Sequence, residues 1–147
     1  MSTGELLPHE VTRKVRNTCL CLHLQSAARA VARRFDDALR PLGLTNGQFS
    51  LLMSLNRPEP ATIGGVAALL AMDRTTLTAA LKPLERRGLL KIGVDPDDRR
   101  SRRLELTAAG HAVLIAALPV WRREHGALDR ELADGPDRLR ADLRALT

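Results

Sequence analysis

Four arginines, Arg99, Arg100, Arg102 and Arg103, fall within five positions of one another, just after Asp95, Asp97 and Asp98. A slim loop tipped with guanidinium groups fits the narrow, electronegative minor groove of a nucleic-acid duplex. Asp97 or Asp98 is placed to hold one of these guanidiniums. A second cluster lies upstream. With Leu77, Leu81 and Leu84 as a buried helical stripe, the opposite face carries Thr75, Thr78, Ala79, Lys82 and Arg86. Small residues there let a helix approach base edges, and Thr can hydrogen-bond a base or touch a thymine methyl. Asp73 can cap that helix, leaving other amides of its first turn free to meet a phosphate. Arg74, at the same end, suits a phosphate or base contact.

These clusters belong to a chain of 147 residues with Lys plus Arg at 23 and Asp plus Glu at 17, a formal charge of +6. Only Phe35, Phe49 and Trp121 are aromatic and Tyr is absent, which argues against single-strand binders that stack bases on rings. The 44% hydrophobic content, rich in Ala and Leu, favours helix, and the length suits one domain with helical extensions. Residues 1–60 carry 8 bases and 5 acids, 61–110 carry 9 and 6, and 111–147 carry 6 of each. The excess charge therefore precedes a neutral C-terminal segment. No apolar run of about 18 residues is present to span a membrane. The N-terminal MSTGELLPHE lacks a signal pattern, and two Cys fit a reducing, cytoplasmic compartment. Neither a nucleophile elbow, a phosphate loop nor a metal pair is found, so no enzyme and no cofactor is expected. The scattered His9, His23, His111 and His125 make no zinc motif.

The elements that must position the clusters follow from periodicity. Cys21, Leu24, Ala28, Val31, Phe35 and Leu39 define one face of a long helix over about 11–40, ended by Pro41 and Gly43. Thr45 and Gln48 have capping-box spacing and start a second helix carrying Phe49, Leu52, Met53 and Leu55. Thr62 caps a third, about 62–71, in which Gly64 and Gly65 would allow close packing. A tight Ala71-Met72 turn leads to the fourth, about 73–87, with Pro83 bending its last turn and Gly88 stopping it. The period then changes to two: Leu90, Ile92 and Val94, then Leu104 and Leu106, form a hairpin around the basic loop. Thr107 caps a long helix, about 108–133, and Gly135-Pro136 separates it from a last helix, about 137–146. The expected fold is mainly α with a small two- or three-stranded wing. That is a winged helix-turn-helix over 45–107, between dimerisation helices at 1–44 and 108–147. Leu114, Leu118, Trp121, His125, Leu128 and Leu132 recur at 4-3-4-3-4 spacing, close to a coiled-coil seam. With Leu139, Leu143 and Leu146, this points to a partner subunit; packing on the chain's own DNA-binding unit is the alternative.

Four segments in order, Met72-Asp73-Arg74-Thr75-Thr76-Leu77-Thr78, Leu84-Glu85-Arg86-Arg87-Gly88-Leu89, Asp95-Pro96-Asp97-Asp98-Arg99-Arg100 and Leu106-Thr107-Ala108-Ala109-Gly110, resemble the MarR family of bacterial transcriptional regulators. The resemblance covers residues 45–110 well. It implies a homodimer on a pseudo-palindromic operator in double-stranded DNA, with the terminal helices interlocked between subunits. It implies that Asp98 and Arg100 match a wing-tip Asp-x-Arg, with Arg100 in the minor groove. It also implies a regulator, usually a repressor, released by a small phenolic or lipophilic effector or by cysteine oxidation. The residues assigned to DNA are Arg74, Thr75, Thr76, Thr78, Lys82, Arg99, Arg100 and Arg102, with Asp98 supporting the wing. A winged helix that served only protein interaction would tend to lose both the basic wing and the small-residue face.

On a continuous helix Cys19 and Cys21 would point roughly 200° apart, unable to share a metal or pair. Cys21, on the apolar stripe, reads as a small core residue. The alternative is a redox sensor, because Cys21-Leu22-His23-Leu24-Gln25-Ser26-Ala27-Ala28-Arg29 resembles the first-helix cysteine segment of the family's peroxide-sensing branch. The tyrosines that hydrogen-bond the thiolate in that branch have no counterpart here. Met53 and Trp121 read as core or interface residues, the alternative being the lining of an effector pocket.

Overall fold

A computed structural model describes residues 5–147; residues 1–4, where the stretch read as lacking a signal pattern begins, lie outside it. The chain divides into two units, one ending at Arg34 and one running from Phe35 to Thr147.

The first unit holds α1 (His9–Thr18) and most of α2 (Leu20–Leu39). The single long helix expected over 11–40 is therefore interrupted, because Cys19 takes extended dihedrals (φ −69°, ψ 111°). Just before the break the Thr18 hydroxyl donates back to the Lys14 carbonyl at 2.8 Å. Across the break His23 Nδ1 lies 2.8 Å from the Cys19 carbonyl. Cys21 is exposed, which corrects its reading as a core residue. The stripe it belongs to becomes buried only at Phe35 and Leu39.

The second unit begins with the end of α2 and a 3-10 turn (Arg40–Leu42) closed by Gly43 at φ +69°. Then come α3 (Asn46–Ser54), β1 (Ala61–Thr62), α4 (Ile63–Leu69), α5 (Arg74–Arg86), β2 (Leu90–Val94), β3 (Arg102–Leu106), α6 (Ala108–Glu131) and α7 (Pro136–Ala145). Each helix from α3 to α6 starts on a side-chain cap. Thr45 accepts from Gln48 N–H in a complete capping box, Thr62 from Gly65, Asp73 from Thr76 and Thr107 from Gly110. Such caps satisfy amide donors left without a partner in the first turn. The strands make a three-stranded antiparallel sheet in the order β1-β3-β2. Leu104, in the central strand, faces both Ala61 and Ile92 and is wholly buried. The hairpin leaves the core as it extends, so Leu90 is buried while Val94 is 57% exposed. Fold class is as expected, with β1 supplying the third strand.

Leu39, Leu52, Leu77, Leu81, Leu84, Leu90 and Leu104 are the large, fully buried side chains around which these elements close. Leu114 and Ala117 of α6 join the same core, so the first half of that helix packs on the winged helix of its own chain. One contact permits this. A Cβ at Gly110 would collide with the Leu89 carbonyl oxygen, so the start of α6 and the start of the hairpin touch backbone to backbone. Thr107 fastens the same junction: its N–H donates to Leu89 O at 3.1 Å, its hydroxyl donates to Gly88 O at 2.5 Å, and its oxygen accepts from Gly110 N–H at 3.1 Å. Gly110→Ala is expected to destabilise the fold by about 1–3 kcal/mol, the usual cost of forced overpacking. Urea unfolding of the two proteins measures it, and equal midpoints would show that the junction yields freely.

Candidate nucleic-acid interface

In α5 the rotation of the helix decides what faces outward. Leu77, Leu81 and Leu84 are fully buried, so Thr75, Thr78, Ala79, Lys82 and Arg86 stand on the exposed side, with Arg74 and Thr76 exposed in the first turn. The turn before it passes through Ala71 at φ +52°, a left-handed conformation that costs a non-glycine residue about 1 kcal/mol. Met72 N–H donates to Ala67 O at 2.9 Å and holds the chain there.

The threonines do not share one role. Thr76 donates to the capping Asp73 twice, from its N–H at 2.8 Å and from its hydroxyl at 2.7 Å. These bonds, the backbone one first, hold the Asp73 carboxyl below the usual carboxylate range. The Thr76 hydroxyl proton is thus committed to the cap. Thr78 donates its hydroxyl to the Arg74 carbonyl at 2.8 Å and remains exposed, its oxygen still able to accept. Lys82 is exposed further along the same helix.

The wing loop is held by its acids. Asp97 N–H donates to Asp95 Oδ1 at 2.9 Å, Arg100 N–H to Asp98 Oδ1 at 3.0 Å, and Ser101 N–H to the Asp98 carbonyl at 3.0 Å. Asp98 therefore acts on the backbone of the loop, placing Arg100 through its amide. The guanidinium held by carboxylates is that of Arg103, 3.2 Å from Asp95 and 3.4 Å from Asp97. The Asp97 N–H bond first, and Arg103 after it, keep the Asp95 carboxyl low despite partial desolvation. Arg102 turns back on the wing and donates to the Arg99 and Ser101 carbonyls at 3.0 and 3.2 Å. Of the four arginines, Arg99, Arg100 and Arg102 are exposed with no ion pair among the described residues, and Arg102 is the one of these three that donates to the loop's own carbonyls.

A cleft of about 420 Å³ joins the two clusters. Thr62, Ile63, Gly64, Arg74 and Thr78 form one side, and Asp98, Arg100, Ser101 and Arg102 the other. The structure thus brings Arg74 and Thr78 of α5 to the same space as three of the assigned wing residues. Sequence reasoning missed two contributors. Asp95 lies too far from Arg103 in the chain to pair with it before the loop is folded. Gly64 was read as a helix-packing glycine, whereas a guanidinium covers it.

A second concavity, about 500 Å³ and almost wholly apolar, is lined by Phe49, Ser50, Met53, Ser54, Leu69, Leu70, Leu118 and Trp121. Met53 and Trp121 thus line a pocket while also packing against the core. Trp121 stacks on Phe49 at a centroid distance of 6.4 Å and meets the His125 ring at 4.7 Å. Ser54 donates its hydroxyl to Leu51 O at 2.6 Å, which leaves its oxygen free to accept. Among the described residues no helix is long and apolar enough to cross a membrane.

Comparison with known proteins places this arrangement. A family model described as MarR family matches residues 42–101, from the 3-10 turn through the wing loop. The M. tuberculosis transcriptional regulator MosR in complex with DNA superposes with a TM-score of 0.81 at 38% identity, over 87% of this chain and 92% of that one. The transcriptional repressor CouR bound to a 23-mer DNA duplex gives 0.75 at 31% identity, over 97% and 96%. The transcriptional activatory protein BadR of Rhodopseudomonas palustris is 32% identical over 111 residues; the match takes in 73% of this chain but only 63% of BadR. Solved relatives of this similarity over nearly their whole length, together with the winged helix itself, show that the chain belongs to the MarR family of transcriptional regulators.

Proposed function

We propose that the chain is a homodimeric, sequence-specific DNA-binding regulator, acting as a repressor that a small aromatic or lipophilic effector releases from its operator. The observation that carries the reading is the pairing of two exposed surfaces in one unit. One is the small-residue face of α5, suited to the major groove; the other is the wing tip with Arg99 and Arg100, suited to the minor groove. Thr75 and Thr78 read base edges; Arg74, Lys82 and Arg102 meet phosphates. The similarity to MosR and CouR, each solved on DNA, supports the same assignment. Dimerisation fits the exposed Leu139 and Leu143 on α7, Leu146 just past its end, and the exposed Ile115 on α6, apolar area that a two-fold partner would cover. The apolar pocket beside Trp121 is the effector site, in keeping with the solved complex of Rhodococcus jostii CouR with p-coumaroyl-CoA.

A second reading, regulation through Cys21, draws on the exposure of that thiol. Cys21 is exposed and accepts a hydrogen bond from Gln25 Nε2 at 3.4 Å, and an accessible thiol can be oxidised by a hydroperoxide to the sulfenic acid, releasing the alcohol. Organic hydroperoxide added to the reduced protein would then lower duplex affinity in the native chain but not in Cys21→Ser. Unchanged affinity with Cys21 intact ends this reading.

For the leading reading, Arg100→Ala is expected to weaken binding to duplex from the chain's own promoter region at least tenfold, with the sedimentation coefficient of the dimer unchanged. Preserved affinity would show that the wing tip is not inserted. Asp95 gives a pH prediction. Its carboxyl is held low in the fold, so the stabilisation it brings to the wing is complete above the ordinary carboxylate pKa of about 4 and is lost as pH falls through the lowered value. The Asp97 amide, which donates to it, reports this directly. Its NMR shift should titrate with a midpoint below about 4, and a midpoint at or above that value contradicts the account of the wing.

A further inference from the structure

Arg74 rests on a residue without a side chain. An ideal Cβ on Gly64 would stand 2.9 Å from Arg74 Nη2, 3.7 Å from Cζ and 4.0 Å from Nε. The guanidinium therefore lies against bare α4 backbone, at the edge of the cleft that Asp98, Arg100 and Arg102 border from the wing. Three guanidiniums border this space with one carboxylate. That carboxylate accepts the Arg100 N–H, and Arg74 has no ion pair among the described residues. A cleft lined by one sign of charge concentrates the opposite sign. The site also has a defined place on a duplex. A protein that sets one element in the major groove and another in the adjacent minor groove must straddle the sugar-phosphate strand between them. In this fold the space between those two elements is the cleft.

We propose that the cleft seats the backbone phosphate lying between the major- and minor-groove contacts of each half-site, with Arg74 as its clamp and Gly64 as the residue that positions Arg74. This rests on the DNA-binding reading above. The planar, multi-donor guanidinium suits phosphate, and its contact with Gly64 sets it at the edge of the cleft. Glycine is a poor helix former next to alanine, and Gly64 stands in the first turn of α4. A methyl group there would improve the helix while lifting Arg74 off its seat. Because the atoms met are the far end of a flexible side chain, the fold itself absorbs the change.

The test compares native protein, Gly64→Ala, Arg74→Ala and the double variant. Fluorescence anisotropy measures affinity for a promoter-region duplex and for a scrambled duplex at several salt concentrations, and thermal unfolding is followed alongside. Gly64→Ala should unfold at the native temperature or above it, yet bind both duplexes roughly five- to tenfold more weakly. Its slope of log affinity against log salt should be shallower by about 1, as for one lost phosphate contact. Arg74→Ala should behave alike, and the double variant should be no weaker than either single one. Native affinity in Gly64→Ala overturns the positioning role, as do losses that multiply in the double variant. An unchanged salt slope in Arg74→Ala overturns the clamp whether or not Gly64→Ala folds. Failure of the native protein to bind any duplex removes the DNA-binding reading, and this inference with it.

Discussion

Three leucines of α5 are shut away from water completely, and the rotation this imposes on the helix is the constraint on which the rest depends. Each such burial contributes about 1.5–3 kcal/mol, so turning the helix to expose any of them would cost more than any single polar contact on its surface could return. The face opposite is thereby obliged to point outward, and it is a face of threonine, alanine and lysine. What the helix offers a partner follows from what it hides. The backbone contact of Gly110 with Leu89, tied by Thr107, fixes the hairpin on the other side of the same core. The wing and the helix consequently leave the core from neighbouring points and border a common cleft.

Electrostatics then divides the arginines by task. Arg103 is drawn into the base of the wing by Asp95 and Asp97, and Arg102 braces the loop through its own carbonyls. That leaves Arg99 and Arg100 at the tip and Arg74 at the cleft edge. A loop of four unpaired cations would splay through mutual repulsion; spending one charge on internal pairing keeps the others aimed. Asp98 contributes by shaping the backbone through the Arg100 amide. Surface ion pairs are individually weak, and the wing depends on several short bonds acting together.

Local chemistry was legible in the residues; tertiary proximity was not. Thr45, Thr62, Asp73 and Thr107 announce their helices because a cap and its amide lie three residues apart, and all four make that bond. The buried stripe of α5 and the alternation of the hairpin are likewise short-range periodicities. The break at Cys19 leaves no mark in the sequence, because neither Gly nor Pro stands there. Cys21 sits on an apolar spacing that continues to Leu39, yet spacing alone says nothing about how far along a helix the core extends. The contact of Gly64 with Arg74 joins two helices across a turn, and only the folded turn at Ala71 brings them together. Of the pocket, Met53 and Trp121 could be named in advance; the spacing of Val66, Leu69 and Leu70 reads as one inward face, yet Leu69 is 67% exposed and, with Leu70, lines the pocket.

The central claim is that the exposed cations around α5 and the wing meet the phosphates of a duplex. Each phosphate neutralised contributes about 0.9 to the slope of log affinity against log salt. Titrating a promoter-region duplex with the native protein between about 50 and 300 mM salt measures that sum directly. With Arg74, Lys82 and Arg102 of both protomers engaged, the account predicts a linear fall with a slope steeper than about −3. A slope near zero, or no binding at the lowest salt, would contradict it.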